Sequence, residues 1–287
     1  MENAIGGQRK VKGKGRALPF FSKGARCLFY LCLLLSALLL SFTFSACRNR
    51  ALLDEAQQAF ESGDYEGATN RYEEFLKQNP THDQAGNAHF QAGNIYLFNL
   101  KQYDKAVTHY IQFIEGSPRS PNLLPARQRL AKSYAGMGKR REAISEYENL
   151  LIAFPDQVDK RRVRLDIADL YFDQNDLRQA RTEYQKVTRD AAYDSLAERA
   201  DLQIGNISVL LGDFEDAIPV YQAVVRQSPD KEIRRRASLL LADCYQRTLQ
   251  YEEAIKVLEQ TEPDPKAPDE IKRRIAAVRE TQKQRGL

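Results

Sequence analysis

SGDYEGATNRYEEFLKQNP, residues 62–80, carries Tyr65, Ala68, Tyr72 and Phe75 at steps of three, four and three, and then a proline at position 80. Those steps place all four side chains on one side of a 3.6-residue helix, so the stretch predicts an amphipathic helix with one buried face. Pro80 has no N–H to give and marks where that helix has ended. The same text then returns five times. Ala68 is followed in phase by Ala106 in LKQYDKA, Ala143 in MGKRREA, Ala180 in QNDLRQA, Ala217 in LGDFEDA and Ala254 in TLQYEEA, at spacings of 38, 37, 37, 37 and 37 residues. Four residues after each alanine stand Tyr72, Tyr110, Tyr147, Tyr184, Tyr221 and Leu258, and seven after stand Phe75, Phe113, Leu150, Val187, Val224 and Thr261. Pro80, Pro118, Pro155 and Pro229 keep the phase as helix stops. Self-similarity at a fixed stride of this length is the mark of a repeat array.

Upstream of each turn a second helix shows as pairs three residues apart: Ala56 and Ala59, Gly93 and Tyr96, Ala131 and Tyr134, Ala168 and Tyr171, Gly205 and Ser208, Ala242 and Tyr245. The small member lets two helices approach to roughly 8–10 Å, and the larger neighbour fills the space beside it. Small residue, aromatic, turn, alanine, aromatic and proline in this order resemble the tetratricopeptide repeat, a helix-turn-helix unit of about 34 residues. The resemblance covers residues 49 to about 262. It departs in length, the surplus residues being expected between repeats, and in Arg140, Ala192, Leu258 and Thr261, which weaken single copies. The expected fold is therefore all-α: a basic leader and hydrophobic signal or anchor helix (1–46), a solenoid of six hairpins (47–262), and a Pro-containing break with a C-terminal capping helix (263–287). In that last helix Asp269 is placed to cap, Ile271, Ile275 and Val278 make the buried side, and Lys272, Arg273, Arg274 and Glu280 face out.

The chain has 287 residues, 43% of them hydrophobic and 29% charged, enough for one or two domains and too apolar for a disordered tail. Its net charge of +4 is unevenly placed. Residues 1–46 hold seven of the 43 basic residues and one of the 39 acids, leaving 36 basic against 38 acidic, a balance of −2. The body lacks the basic footprint of a nucleic-acid binder. Residues 27–46, CLFYLCLLLSALLLSFTFSA, are uncharged and, at about 1.5 Å per residue, long enough to reach across a bilayer core. A basic stretch, a leucine-rich stretch and small residues before Cys47 also have the layout of an export signal. Phe44-Ser45-Ala46-Cys47 resembles a bacterial lipobox, which implies lipid attachment at Cys47; an uncleaved single-span anchor in the inner membrane and a plain secretory signal are the alternatives. All three place residues 48–287 outside the cytoplasm, because the basic residues stay behind. By the sorting behaviour of lipoproteins, Arg48 rather than an Asp after the cysteine implies the periplasmic face of the outer membrane.

No P-loop, GxSxG, HExxH, EF-hand or dinucleotide fingerprint occurs, so no enzyme, cofactor or small-molecule substrate is expected. His82, His89 and His109 read as surface or packing residues, since no cysteine or clustered carboxylate completes a metal-ligand set. Cys244 reads as a buried, inert thiol, the phased tyrosines as packing aromatics, and Asn206-Ile207-Ser208 as a glycosylation match inside a helix. What remains is the inner wall. In tetratricopeptide proteins the first helix of each repeat lines the concave side. That places Arg50, Arg162, Arg199 and Arg236 in one row and Gln57, Asn94, Lys132, Asp169, Asn206 and Asp243 seven residues further on, as a partner-binding groove or a merely solvated face with pairing inside each helix. Anchor and repeats together resemble the BamD (YfiO) outer-membrane assembly lipoprotein family. This implies a non-enzymatic, membrane-tethered scaffold whose partners are a barrel-assembly subunit or unfolded outer-membrane protein peptides. A transient periplasmic peptide carrier and a Tol-Pal or other cell-envelope coordination protein are the alternatives.

Overall fold

The computed structural model describes residues 48–189 and 192–286. The leader, with the expected signal or anchor helix and Cys47, lies outside the described residues. Within them the chain forms six helical hairpins and a final helix: α1 (48–61) with α2 (Tyr65–Gln78), α3 (Ala85–Asn94) with α4 (Tyr103–Gly116), α5 (Leu123–Gly136) with α6 (Arg140–Ala153), α7 (Lys160–Asp173) with α8 (Leu177–Thr188), α9 (Ser195–Leu211) with α10 (Phe214–Gln227), α11 (Lys231–Arg247) with α12 (Tyr251–Glu259), and α13 (Glu270–Gln284). No helix among the described residues is long and apolar enough to cross a membrane.

The phase read from the sequence is the phase of the packing. Ala68, Ala106, Ala143, Ala180, Ala217 and Ala254 are all fully buried and the residues four and seven positions on are buried, so the first five second helices put the same three steps into the core, while in the sixth Thr261 lies just past the end of α12. In the first five repeats the small residue of the first helix shares the core with the tyrosine that follows, and in the sixth Ala242 shares it with Leu258. A Cβ added at Gly93 would stand 2.9 Å from the Tyr110 ring, and one at Gly205 2.6 Å from the Tyr221 ring, closer than real Cβ contacts allow. Helices α2, α4, α6 and α10 stop two residues before Pro80, Pro118, Pro155 and Pro229. Where position 192 is alanine, α8 ends at Thr188 and Arg189 is already extended. Aspartates start many of the helices: the carboxylates of Asp64, Asp159, Asp176, Asp194 and Asp230 accept backbone N–H groups of the first turn.

The turn inside each hairpin is one device used six times. Five residues before each phased alanine the backbone is left-handed, at Gly63, Lys101, Gly138, Asn175, Gly212 and Leu249. The next N–H reaches back into the first helix, as Asp64 N to Ala59 O (2.9 Å) and Asp213 N to Ser208 O (2.8 Å). Repeat 2 differs: Gln102 N bonds Tyr96 O (3.0 Å), six residues back instead of five, because Ile95–Leu100 is π-helical. This π-turn absorbs the residue that makes the first spacing 38 rather than 37, as a single insertion into a helix commonly does.

The surplus relative to a 34-residue unit lies between repeats, in six-residue loops at 79–84, 117–122 and 154–159. Before α11 the loop shrinks to 228–230 and the helix grows to 17 residues, so there the surplus is an extra turn of helix. The EPDPKAP segment (262–268) is non-helical, and α13 buries Ile271 and Val278 against α12. Two expectations for α13 need correction. Asp269 occupies the cap position, but its side chain accepts no backbone N–H. Arg274 does not face out: it bonds Asp243 of α11 at 3.3 Å and Glu270 at 3.2 Å, because this helix stacks where a seventh first helix would stand.

Candidate functional site

The first helices α1, α3, α5, α7, α9, α11 and, after them, α13 stand side by side along one wall, and the residues singled out from the sequence lie on it. At its N-terminal end the bonds stay within one helix: Arg50 pairs with Asp54 at 3.9 Å, and Gln57 donates to Glu61 at 2.8 Å. From repeat 2 onward bonds between helices join those within one, which persist where Asn94 donates to Gln91 (3.3 Å) and Asn206 to Gln203 (3.0 Å). Asn94 Oδ1 accepts from the Tyr110 hydroxyl at 2.9 Å and from Arg129 of α5 at 2.8 Å. Asp169 accepts from the Tyr184 hydroxyl at 2.6 Å and from Arg199 of α9. Asn206 accepts from the Tyr221 hydroxyl at 2.9 Å, and Asp243 from Arg274.

Pairing inside each helix, one of the two readings of this wall, accounts for only part of the bonds. Arg162 and Asp169 share a face but stand about two turns, or roughly 10.5 Å, apart along the axis, whereas the neighbouring helix brings Arg199 directly onto Asp169. The phased tyrosines are packing residues, as read from the sequence, and three of them also pin this polar row from behind. Burial pushes the Tyr110, Tyr184 and Tyr221 hydroxyls well above the ordinary phenol range, so they donate at any physiological pH.

Lys132, Arg162 and Arg236 are exposed and make no ion pair or side-chain hydrogen bond among the described residues. Lys132 and Arg162 line a small cavity of about 150 Å³ with Gln128, Tyr147 and Asp166. Burial raises the Asp166 carboxyl above its ordinary value, and the two cations oppose that. The wall therefore presents rungs bonded between helices, two of them ion pairs (Asp169–Arg199, Asp243–Arg274) and one a guanidinium on a neutral amide (Asn94–Arg129), together with the cations Lys132, Arg162 and Arg236, unpaired among the described residues.

Arg129 was missed from sequence because it falls outside the row of arginines. Its guanidinium lies 4.6 Å from the Phe90 ring centre and 5.7 Å from that of Phe98, over a stripe of α3 and its π-turn at positions 90, 94 and 98. That four-residue stepping was the available signal. Phe98 is 48% exposed.

Elsewhere, Cys244 is buried in α11 with its thiol pushed up to about 11 by burial, matching an inert packing role. Ser208 of the glycosylation match is buried inside α9. Among the described residues no three His, Cys, Asp or Glu side chains converge into a ready metal-ligand set. The structure does bring His89 and His109 together, with their Nδ1 atoms 3.0 Å apart.

Comparison with known proteins agrees with this geometry. Family models described as tetratricopeptide repeat match residues 53–121 and 165–232, residues 209–273, and residues 126–156. No curated protein matches the chain. A solved tetratricopeptide repeat protein from Parabacteroides merdae is 15% identical, covers 83% of this chain and 88% of its own, and superposes with a TM-score of 0.52. PilW, a type IV pilus biogenesis factor, is 17% identical over 74% of this chain and 91% of its own with a TM-score of 0.46. MamA is 15% identical over 71% and 94% with a TM-score of 0.45. With six hairpins in one phase and repeat matches spread from residue 53 to residue 273, the chain belongs to the tetratricopeptide-repeat family.

Proposed function

We propose that this protein is a non-enzymatic adaptor, tethered to the periplasmic face of the outer membrane through a lipid on Cys47, that holds a folded partner during outer-membrane protein assembly. The observation that carries the reading is the first-helix wall, where rungs already bonded to one another alternate with the free cations Lys132, Arg162 and Arg236. A rung whose donors and acceptors are satisfied offers an extended peptide little backbone pairing, but it makes a stiff, shaped surface for a folded neighbour with acidic groups opposite the cations. A tether narrows the search for such a neighbour to two dimensions. Two or three acyl chains, at about 0.8 kcal/mol per buried CH₂, make the attachment effectively permanent.

Mild detergent extraction of the full-length protein should bring down a membrane β-barrel subunit, and Lys132→Glu with Arg162→Glu should reduce its recovery several-fold. Recovery unaffected by the two substitutions, or no partner after mild solubilisation, overturns the reading. The rival, a transient peptide carrier, predicts that C-terminal peptides of outer-membrane proteins bind in calorimetric titration and that Arg162→Glu weakens them. Mass spectrometry of the mature N-terminus tests the anchor separately: acylated Cys47 is expected, and an intact leader excludes it.

A further inference from the structure

All three histidines of the chain fall between residues 82 and 109, and two of them meet side chain to side chain. His89 of α3 and His109 of α4 approach Nδ1 to Nδ1 at 3.0 Å, with ring centres 5.2 Å apart. Such a contact holds only if one of the two nitrogens carries a proton and the other offers its lone pair. Two charged rings are excluded at that distance, and burial with mutual repulsion drives the His89 pKa down to about 4; burial lowers His109 as well. Burial thus favours the uncharged form of both rings.

Behind the pair stands a support. Glu73 Oε1 of α2 lies 3.8 Å from His109 Nε2 and accepts the Tyr96 hydroxyl at 2.5 Å, while the Tyr96 ring stacks on His109 with centres 5.5 Å apart and planes at 22°. His109 is thus fixed in orientation, with a carboxylate near its far nitrogen. On the other side, His89 lines an open cavity of about 630 Å³ shared with His82, Asp83, Gln112 and Glu115.

Two neutral imidazole nitrogens converging in this way have the bite of a metal ion. With metal–nitrogen bonds of about 2.0–2.1 Å, two ligand nitrogens stand about 2.9 Å apart at a right angle and about 3.3 Å apart at a tetrahedral one, which brackets the observed separation. We propose that His89 and His109 are the two protein ligands of a binding site for a zinc-class divalent cation, with Glu73 orienting His109. Imidazole suits Zn²⁺, Ni²⁺ and Cu²⁺ over the harder cations. Binding leaves the overall proton count unchanged: the ring that holds its proton on Nδ1 moves it to Nε2, and on His109 that proton points toward the Glu73 carboxylate, the usual outer partner of a ligating histidine. No third residue of the described chain completes the set, so water or a group from outside fills the remaining positions on the cavity side.

The test uses full-length, tag-free protein in detergent, stripped with chelator and titrated with ZnCl₂ or NiCl₂ at pH 7.5. One ion per chain is expected. His89→Gln combined with His109→Gln should weaken binding at least tenfold, Glu73→Gln by about tenfold, and His82→Ala should leave it unchanged. Imidazole ¹⁵N spectra of the unsubstituted protein should show both Nδ1 signals shifting on zinc addition, a readout independent of how the variants fold. Absence of binding up to millimolar zinc, binding that survives the double substitution in a folded variant, or Nδ1 signals that do not move would each overturn the site and leave a pair that shares only a proton.

Discussion

The α3–α4 hairpin and the α9–α10 hairpin solve one packing problem with the same residues and differ by a single insertion. In both, a glycine (Gly93, Gly205) lies under a tyrosine ring (Tyr110, Tyr221), and the next residue, an asparagine (Asn94, Asn206), takes the hydroxyl at 2.9 Å. From glycine to left-handed turn residue, the second hairpin counts seven positions, Gly205 to Gly212, and the first eight, Gly93 to Lys101. The extra residue did not displace the glycine, ring and asparagine contact. It was pushed to the end of the helix as the π-turn Ile95–Leu100, with Phe98 half exposed. Core contacts between the hairpin's helices thus outrank helical regularity, because a slip of one residue rotates a helix face by about 100° and would take glycine and alanine away from their rings.

The largest expected effect comes from transferring the difference. Deleting Leu210 from α9 removes a residue that this hairpin does not have to spare, and it should cost more than about 4 kcal/mol or disrupt the C-terminal hairpins outright. Deleting Asn99 converts the π-turn to ordinary helix and should leave far-UV dichroism and the urea midpoint nearly intact. Equal losses from the two deletions would break the comparison.

Next in size are the shared contacts. Gly205→Ala should cost about 1–3 kcal/mol by forcing the Tyr221 ring aside, and Gly93→Ala less, since its added Cβ would meet the ring at 2.9 rather than 2.6 Å. Asn206→Ala leaves a buried hydroxyl unpaired at about 1–3 kcal/mol. Asn94→Ala should exceed it, because Asn94 also holds Arg129. Urea titrations of the four variants measure the ordering.

Smaller still is the turn. Lys101 and Leu249 adopt the left-handed conformation that glycine supplies at Gly212, so Lys101→Gly and Leu249→Gly should each raise stability by about 0.5–1 kcal/mol. Gly212→Leu should lower it by a similar or larger amount in thermal melts.

The last prediction concerns pH and uses equivalent positions again, His89 in the first hairpin and Asp201 in the second. Burial lowers His89 to about 4 and raises Asp201 to about 6. For His89 the folded state binds fewer protons than the unfolded chain, so its contribution to stability is lost as pH falls from about 6.5 toward 4. For Asp201 the folded state binds more, so its contribution is lost as pH rises from about 4 toward 6. His89→Gln should therefore improve resistance to urea at pH 5 relative to pH 7.5, and Asp201→Asn should do the reverse. Parallel shifts in both variants would contradict this assignment.

The solenoid was legible in the linear text because its core is local: each alanine, tyrosine and small residue meets partners within one repeat, and the same meeting recurs at a fixed stride. Even the departure from that stride, 38 at the first spacing, was on view, although nothing linear said that it would become a π-turn. Of the candidate site, the row Asn94, Asp169, Asn206 and Asp243 and one of its partners, Arg199, were found, while Arg129 and the pairings themselves were not, since Arg129, Arg199 and Arg274 reach that row from the next first helix or the final helix at separations of 30 to 35 residues. The same limit hid the histidine pair, twenty residues apart.

Composition and periodicity alone thus determined the helices, their faces, their pairing and the run of six hairpins, because burial of a helix face depends on spacing along one chain. Only the tertiary structure decided which polar groups are spent on neighbouring helices, which cations stay free, and which two rings share a proton. Those outcomes depend on distances of a few ångströms between side chains that different helices deliver, and no one-dimensional pattern contains them.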